Sequence, residues 1–336
     1  MNDADPIFSH QPQIVRRLSE EFEKITVITS QKQLSSFPPN VKVIISHWQQ
    51  GHRFRSGMRF LWNFLKVLQK NHFNVVFSHM TEVQSSIVAP ITKLLRIKHY
   101  LWYAHTSKSI FLLWSHFWLT GIITSTPGSC PIRSGRVHPI GQSIDVKQFY
   151  SDRAHFRPST KFVHIGRFDA SKNISEIIET ILELRKINKE LTLQIVGSPS
   201  HSQVANYANQ VKEEFKSQVD DGWLSFKGSI PRSEIPTLLR DSDVFIHAFR
   251  GSLDKSIVEA TVSGLPVVTV NPEYLSVFGA WSENQDEDSL AIELNSFFFR
   301  GAGNLENEIS RRQKLAIAEH SLDHWIESLS YILIAK

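Results

Sequence analysis

The sequence predicts an α/β protein: two domains, each a parallel sheet with crossover helices, facing one another across a cleft. Three observations carry this expectation. Short runs rich in β-branched and aromatic residues alternate with stretches of helical periodicity, the order that produces a parallel sheet. The length of 336 residues suits two domains, each of roughly 150 residues and able to bury about 70% of its unfolded surface. The charge also divides: up to residue 155 there are 18 basic against 8 acidic residues, a net of +10, and beyond it 19 against 25, a net of −6. With 41% hydrophobic and 21% charged residues, low complexity and wholesale disorder are excluded. No repeat marks a solenoid. Cys130, the single cysteine, can form neither an internal bridge nor a cysteine-based zinc site, which points to a reducing compartment, the cytosol by default. Met1–Pro6 is acidic and polar, unlike a signal peptide. The aromatic stretch Phe111–Ile123 is interrupted by Ser115, His116 and Thr120, and falls short of the ~20 apolar residues that span a bilayer.

In the first half, strands are expected at Ile25–Thr29, Val41–Ser46, Val75–Ser78, His99–Tyr103 and Ile122–Ser125, with helices near Gln13–Phe22, Gly57–Gln69 and Glu82–Leu95. Between Glu23 and Asp145 the only acidic residue is Glu82, while Arg53, Arg55, Arg59, Lys66 and Lys70 sit among Trp48, Phe54, Phe60, Trp62 and Phe64. Such a face suits anionic lipid headgroups or a polyanion; it equally suits a solvated surface over an aromatic core. No recognisable nucleic-acid motif accompanies it, and no nucleic-acid partner is expected.

Around Phe149–Thr160 the apolar pattern breaks at Asp152, Arg153, Arg157, Pro158 and Ser159, as a linker would. The domains are therefore expected at 1–155 and at 156–319. In the second, strands fall at Phe162–Ile165, Leu191–Val196, Leu224–Lys227, Val244–Ala248 and Val267–Val270. They are nearly continuous in apolar residues, as strands covered on both faces are. Ile174, Ile177, Ile178, Ile181 and Leu184 mark the helix after the first of them.

In open parallel sheets ligands bind beyond the carboxyl ends of the strands, so the loops there hold the candidates. Gly166-Arg167-Phe168-Asp169-Ala170-Ser171-Lys172-Asn173 follows the strand Phe162–Ile165. Arg supplies a planar fork and Lys a mobile point charge, the pairing a diphosphate needs. Cations at a helix start are disfavoured without an anion nearby, which favours phosphate over a bare surface pair. Gly251-Ser252-Leu253-Asp254-Lys255-Ser256-Ile257-Val258-Glu259-Ala260 follows the strand Val244–Ala248. Its small residues admit backbone N–H groups to sugar hydroxyls, and Glu259 can accept from a ribose diol. Ser256-x-x-Glu259 is also a capping box, in which Glu259 merely satisfies the helix start; spacing leaves both readings open. Asp241-Ser242-Asp243 invites a metal reading but precedes its strand and reads as the polar end of a helix. No Gly-x-Gly-x-x-Gly follows a strand, which disfavours a nicotinamide dehydrogenase.

Taken together, Gly166-Arg167 … Lys172-Asn173, Phe226-Lys227-Gly228-Ser229-Ile230-Pro231, Asp243–Ile246, Gly251-Ser252-Leu253-Asp254-Lys255 … Glu259-Ala260 and Gly264–Val268 resemble, in order and spacing, the family 4 glycosyltransferases. The first half resembles them more loosely, through Phe8-Ser9-His10-Gln11, Leu101-Trp102-Tyr103-Ala104-His105-Thr106 and Pro139–Phe149. The resemblance implies the GT-B fold, two Rossmann-like domains, and retaining, metal-independent transfer of a sugar from a nucleoside-diphosphate donor to an acceptor hydroxyl, with no cofactor. It places Arg167, Lys172 and Gly166 at the donor's diphosphate and Glu259 at the ribose. Gly228 and Ile230 would meet the base, Ser252, Leu253, Asp254 and Lys255 the sugar and phosphate, and His105 the reaction centre. It also implies that 320–336 is the closing helix that crosses back to the first domain. The partners implied are a nucleotide-sugar and a glycan or lipid-linked acceptor of polysaccharide or lipopolysaccharide synthesis, and the basic, aromatic first half is compatible with docking at the inner face of a membrane.

Two departures qualify the resemblance. The first glutamate of the family's paired motif is Gly251 here, within a Gly-Ser-Leu-Asp-Lys variant where Asp254 stands nearby. The N-domain's first strand also reads as truncated, because Met1 lies only seven residues before Phe8. Both also fit an alternative, a catalytically impaired relative acting as a binding or scaffold protein.

Overall fold

The computed structural model describes residues 10–30, 35–152, 160–199, 205–283 and 289–335. In chain order the elements are α1 (His10–Glu21), β1 (Ile25–Thr29), β2 (Val41–Ile45), α2 (Arg53–Lys70), β3 (Val75–His79), α3 (Glu82–Leu94), β4 (Lys98–Trp102), α4 (Ile110–Trp118), β5 (Gly121–Thr124) and β6 (Val137–Pro139). There follow α5 (Val146–Phe149), β7 (Lys161–Ile165), α6 (Ile174–Leu184), β8 (Thr192–Val196), α7 (Ala205–Glu214), α8 (Lys216–Asp220), β9 (Leu224–Gly228), α9 (Ile235–Asp241) and β10 (Val244–His247). The chain ends with α10 (Lys255–Val262), β11 (Val267–Thr269), α11 (Pro272–Phe278), α12 (Leu290–Phe299), α13 (Ala302–His320) and α14 (Leu322–Ile334). Two compact units contain them, Met1–Ser143 with Leu322–Lys336, and Ile144–Ser321. The sequence reading put the division at 155. The segment 144–152 goes with the second unit because Ile144 and Phe149 are buried in its core and Gln313 Nε2 donates to the Ser151 carbonyl at 3.0 Å. Part of the expected linker, residues 153–159, lies outside the described residues.

In the first unit β3, β4, β5 and β6 form a parallel sheet in that order, and β1 pairs in parallel with β2 alone. β4 and β5 are almost wholly buried, whereas β1 and β3 are half-buried. The reason lies in a cavity of about 470 Å³ lined by Val27 and Thr29 of β1, Val76 and Ser78 of β3, and Phe60 and Phe64 of α2. Among the described residues no strand joins the two edges. The segment read from the sequence as a truncated first strand precedes His10 and lies outside them. Trp325 of α14 packs edge-on against Trp102 at 5.3 Å, anchoring the returning helix to this unit's sheet. α4, absent from the sequence reading, is started by Ser109, whose hydroxyl accepts from Leu112 N at 3.0 Å.

The second unit has one parallel sheet of order β11-β10-β7-β8-β9. Its runs of buried residues match the near-continuous apolar strands expected of a sheet covered on both faces. α6 buries Ile174, Ile177, Ile178 and Ile181, the stripe its spacing anticipated. From β7 the chain moves outward to β8 and β9, then returns to β10 and β11 on the other side. β7 and β10 therefore form the topological switch point, where the two following crossovers diverge and leave a crevice beyond the strand ends. No helix among the described residues is long and apolar enough to cross a membrane.

Candidate functional site

The sheet order brings together the two constellations read from the sequence, for Gly166 follows β7 and Gly251 follows β10. Asn173 ties them: its backbone is left-handed (φ 50°), and its side-chain amide donates to the Ala248 carbonyl at 3.1 Å. The loops after β7 and β8 also touch. A Cβ on Gly197, whose φ is +142°, would stand 1.7 Å from the Gly166 carbonyl oxygen, so only glycine fits this approach.

Arg167 and Lys172 fall in different environments. The Arg167 side chain is half exposed and lies 3.5 Å from an Asp169 oxygen. Lys172 is 3% exposed, ion-paired with Asp254 and set over the Phe249 ring, 3.7 Å from its centroid. The anions that cations at a helix start require are thus carboxylates of the chain itself. Asp254 Oδ2 is shared, for His247 Nε2 lies 3.0 Å from it. Burial works to raise the Asp254 carboxyl, but the Lys172 ammonium and the His247 N–H outweigh it and hold it well below the usual carboxylate range. His247 and its stacked neighbour His164 are completely buried, and burial pushes both rings down, His164 to about 3.

The loop after β10 is held from beneath by Asn271, itself fully buried. Its amide donates to the carbonyls of Phe249, Gly251 and Ser252 at 2.9, 3.2 and 3.2 Å, while its oxygen accepts from Tyr274 N at the start of α11. Ser252 and Leu253 are buried, Leu253 within the apolar core under the loop. Gly251 has a structural reason. A Cβ there would lie 2.1 Å from the Phe249 ring over which Lys172 sits, so the space that a larger side chain would need at this position is already filled.

Glu259 does not serve a capping box. α10 starts at Lys255 after Asp254, which places Ser256 inside the helix and Glu259 in its second turn. Its buried carboxylate faces the Arg232 guanidinium, Nη2 on Oε1 and Nη1 3.4 Å from Oε2. Arg232 lies over the Phe149 ring at 5.1 Å. Burial pushes the Lys255 ammonium down to about 8, with Glu259 opposing and Arg232 reinforcing. Gly228, with φ +65°, closes β9, and Ser229 N donates to Ser198 Oγ at 3.1 Å. Ile230 is half-buried against the core below α10.

Elsewhere, Asp243 binds the start of β7 through N–H groups of Thr160 and Lys161 at 3.1 and 2.9 Å, a structural task. His105 belongs to the first unit, just beyond β4, exposed and edge-on to Tyr103 at 5.7 Å. Sequence reasoning missed Arg232, His247, Phe249, Thr269 and Asn271. Arg232 and Glu259 are separated by 27 residues, and no local periodicity announces such a pair. The one available signal was a histidine inside the apolar strand Val244–Ala248.

Residues 159–297 match the profile of the family described as Glycosyl transferases group 1. No curated protein matches this sequence. Among solved structures, Anabaena HepE in complex with UDP and glucose superposes with a TM-score of 0.73 at 14% identity, covering 99% of this chain and 98% of its own. Sucrose-phosphate synthase from Thermosynechococcus elongatus gives 0.75 at 13% identity, covering 95% and 90%. A glycosyltransferase from Rickettsia africae gives 0.71 at 13% identity, covering 100% and 97%. The fold is GT-B.

Proposed function

We propose that this chain is a retaining, metal-independent glycosyltransferase of family 4 that moves a hexosyl group from a nucleoside-diphosphate sugar to an acceptor hydroxyl. The carrying observation is the convergence of the Gly166–Asn173 and Ser252–Glu259 segments at one switch point. HepE, of the same fold, is described with UDP and glucose, which supports a nucleotide-sugar as the donor. In this reading Arg167 and Lys172 hold the diphosphate, with Gly166 and the Ser252–Lys255 backbone beside it. Glu259 takes the ribose hydroxyls, already oriented by Arg232, and the Gly228–Ile230 turn meets the base. Breaking the donor's C1–O bond leaves charge on the departing diphosphate, which both cations and the N–H groups at the start of α10 stabilise. The acceptor oxygen attacks C1 from the leaving-group side, and its proton passes to a phosphate oxygen. His105 orients the acceptor.

In this reading Lys172 keeps its contact with Asp254 and offers its remaining N–H donors to the diphosphate, whereas the half-exposed Arg167 approaches it from the solvent side. Alanine at either position is expected to lower the transfer rate at least tenfold (~1.4 kcal/mol in barrier). Rates within a factor of two of wild type would remove their assigned roles. Release of nucleoside diphosphate only when acceptor is added would separate turnover from the scaffold alternative.

The acceptor in this reading is a lipid-linked glycan intermediate of a cell-surface polysaccharide, met at the cytoplasmic membrane face. Support comes from α2, which carries no acidic residue and exposes Phe54 (82%), Met58 (54%) and Trp62 (60%) in one stripe beside Arg55, Arg59 and Lys66. Cosedimentation with anionic but not neutral vesicles is expected, and equal partitioning to both would count against docking.

A further inference from the structure

We infer that His247 is a positioning residue of the donor site, holding Asp254 and through it Lys172, with Thr269 fixing its tautomer. The chain of contacts has one consistent proton direction. Ionised Asp254 can only accept, so His247 Nε2 carries the hydrogen of the 3.0 Å contact. His247 Nδ1 is then an acceptor, and it lies 3.0 Å from Thr269 Oγ1, which supplies the O–H. Thr269 Oγ1 in turn accepts from Asn271 N at 3.0 Å. The row therefore runs from β11 through β10 to the loop and ends on the Lys172 ammonium.

Three features argue for positioning over packing. The remaining residues of Val244–Ala248 are apolar, so an aliphatic side chain would fill this place without burying two ring nitrogens. Both nitrogens are engaged, and the ring is completely buried, so it cannot take a proton from a substrate. The charged or titratable groups around it are His164 from β7, Lys172 from the turn before α6, and Asp254 from the loop, with Thr269 on β11. Of these, only Asp254 and Lys172 belong to the proposed donor site. Without the His247 N–H, the Asp254 carboxylate loses one of the two groups that fix it, and Lys172 loses its defined starting position.

The inference rests on the donor-site reading, and titration calorimetry with UDP tests both. His247→Phe removes the donor at similar size, and His247→Gln restores an N–H near the Nε2 position. The Phe variant is expected to bind UDP at least fivefold more weakly than wild type, with Gln within threefold of wild type. Thr269→Val, which preserves shape while releasing the tautomer, is expected to weaken binding two- to fivefold, with Thr269→Ser restoring it; this pair decides the matter if the Phe variant does not fold. Equal binding by wild type and the Phe and Val variants would overturn the inference and leave the donor site standing. Equal loss in the Phe and Gln variants would show packing alone and also overturn it. No binding of UDP by the wild type would remove both.

Discussion

Replacing Arg232 by Met gives the sharpest test of how the site is assembled. The Glu259 side chain is 3% exposed and that of Arg232 20%, so the substitution strands a carboxylate that water cannot reach. Breaking a buried pair from one side costs about 3–5 kcal/mol. The nearby Lys255 ammonium offsets part of this, which places the expected loss near the lower end, about 3 kcal/mol. For a unit of this size each kcal/mol lowers Tm by roughly 2–4 °C, so a fall of about 6–12 °C is expected in a thermal melt. Lys255 titrates near 8. Its help is present below that pH and fades above it, so the penalty of Arg232→Met grows as pH rises past about 8. Glu259→Gln is expected to cost less, about 1–2 kcal/mol, because the partly exposed guanidinium can turn to water. Arg232→Met combined with Glu259→Met is expected to recover to within about 1 kcal/mol of wild type, since no buried charge is left alone. A Tm change below about 2 °C for Arg232→Met alone would refute the buried pair.

Gly251→Ala is expected to cost about 1–3 kcal/mol by forcing its Cβ into the Phe249 ring; Phe249→Ala in the same chain is expected to return most of that loss, and an unaltered urea midpoint for Gly251→Ala would exclude the clash. Arg167→Ala is expected to leave the melting profile within about 0.5 kcal/mol of wild type, because the Arg167 guanidinium is half exposed and screened by water, while Lys172→Ala destabilises by leaving Asp254 to His247 alone; equal melts for the two variants would contradict the difference in burial. His99 and His164 are held down to about 3, in each case first by burial. Both stay neutral when folded and gain a proton on unfolding, so their contribution is complete above about 6.5 and is lost as pH falls toward 3, by about 1.4 kcal/mol per pH unit for each ring. Urea titrations at pH 7 and 5 are expected to show the loss and His99→Gln to reduce it; identical stability at both pH values would refute the buried neutral state.

Much of the second unit was legible because its strands are short, continuous and apolar, and Ile174–Ile181 falls on one helical face. Gly166, Arg167, Lys172 and Glu259 stood out because loop glycines and charges just beyond such strands have few other uses. The first unit was less legible. α4 carries apolar residues all round, with Ile110 and Phe117 exposed, and its periodicity is correspondingly weak. β6 is only three residues long.

Local sequence thus determined the alternation of strand and helix, the apolar faces, and which loops carry charge, because each depends on neighbours within a turn or two. The tertiary structure alone decided the partners: Lys172 with Asp254, Arg232 with Glu259, Phe249 filling the space at Gly251, and Thr269 aligned behind His247. These pairings join residues 2 to 82 positions apart; Lys172 meets Asp254 because β10 returns beside β7, and Thr269 meets His247 because β11 lies beside β10. Strand order is set by how whole faces pack, which no short window of residues encodes.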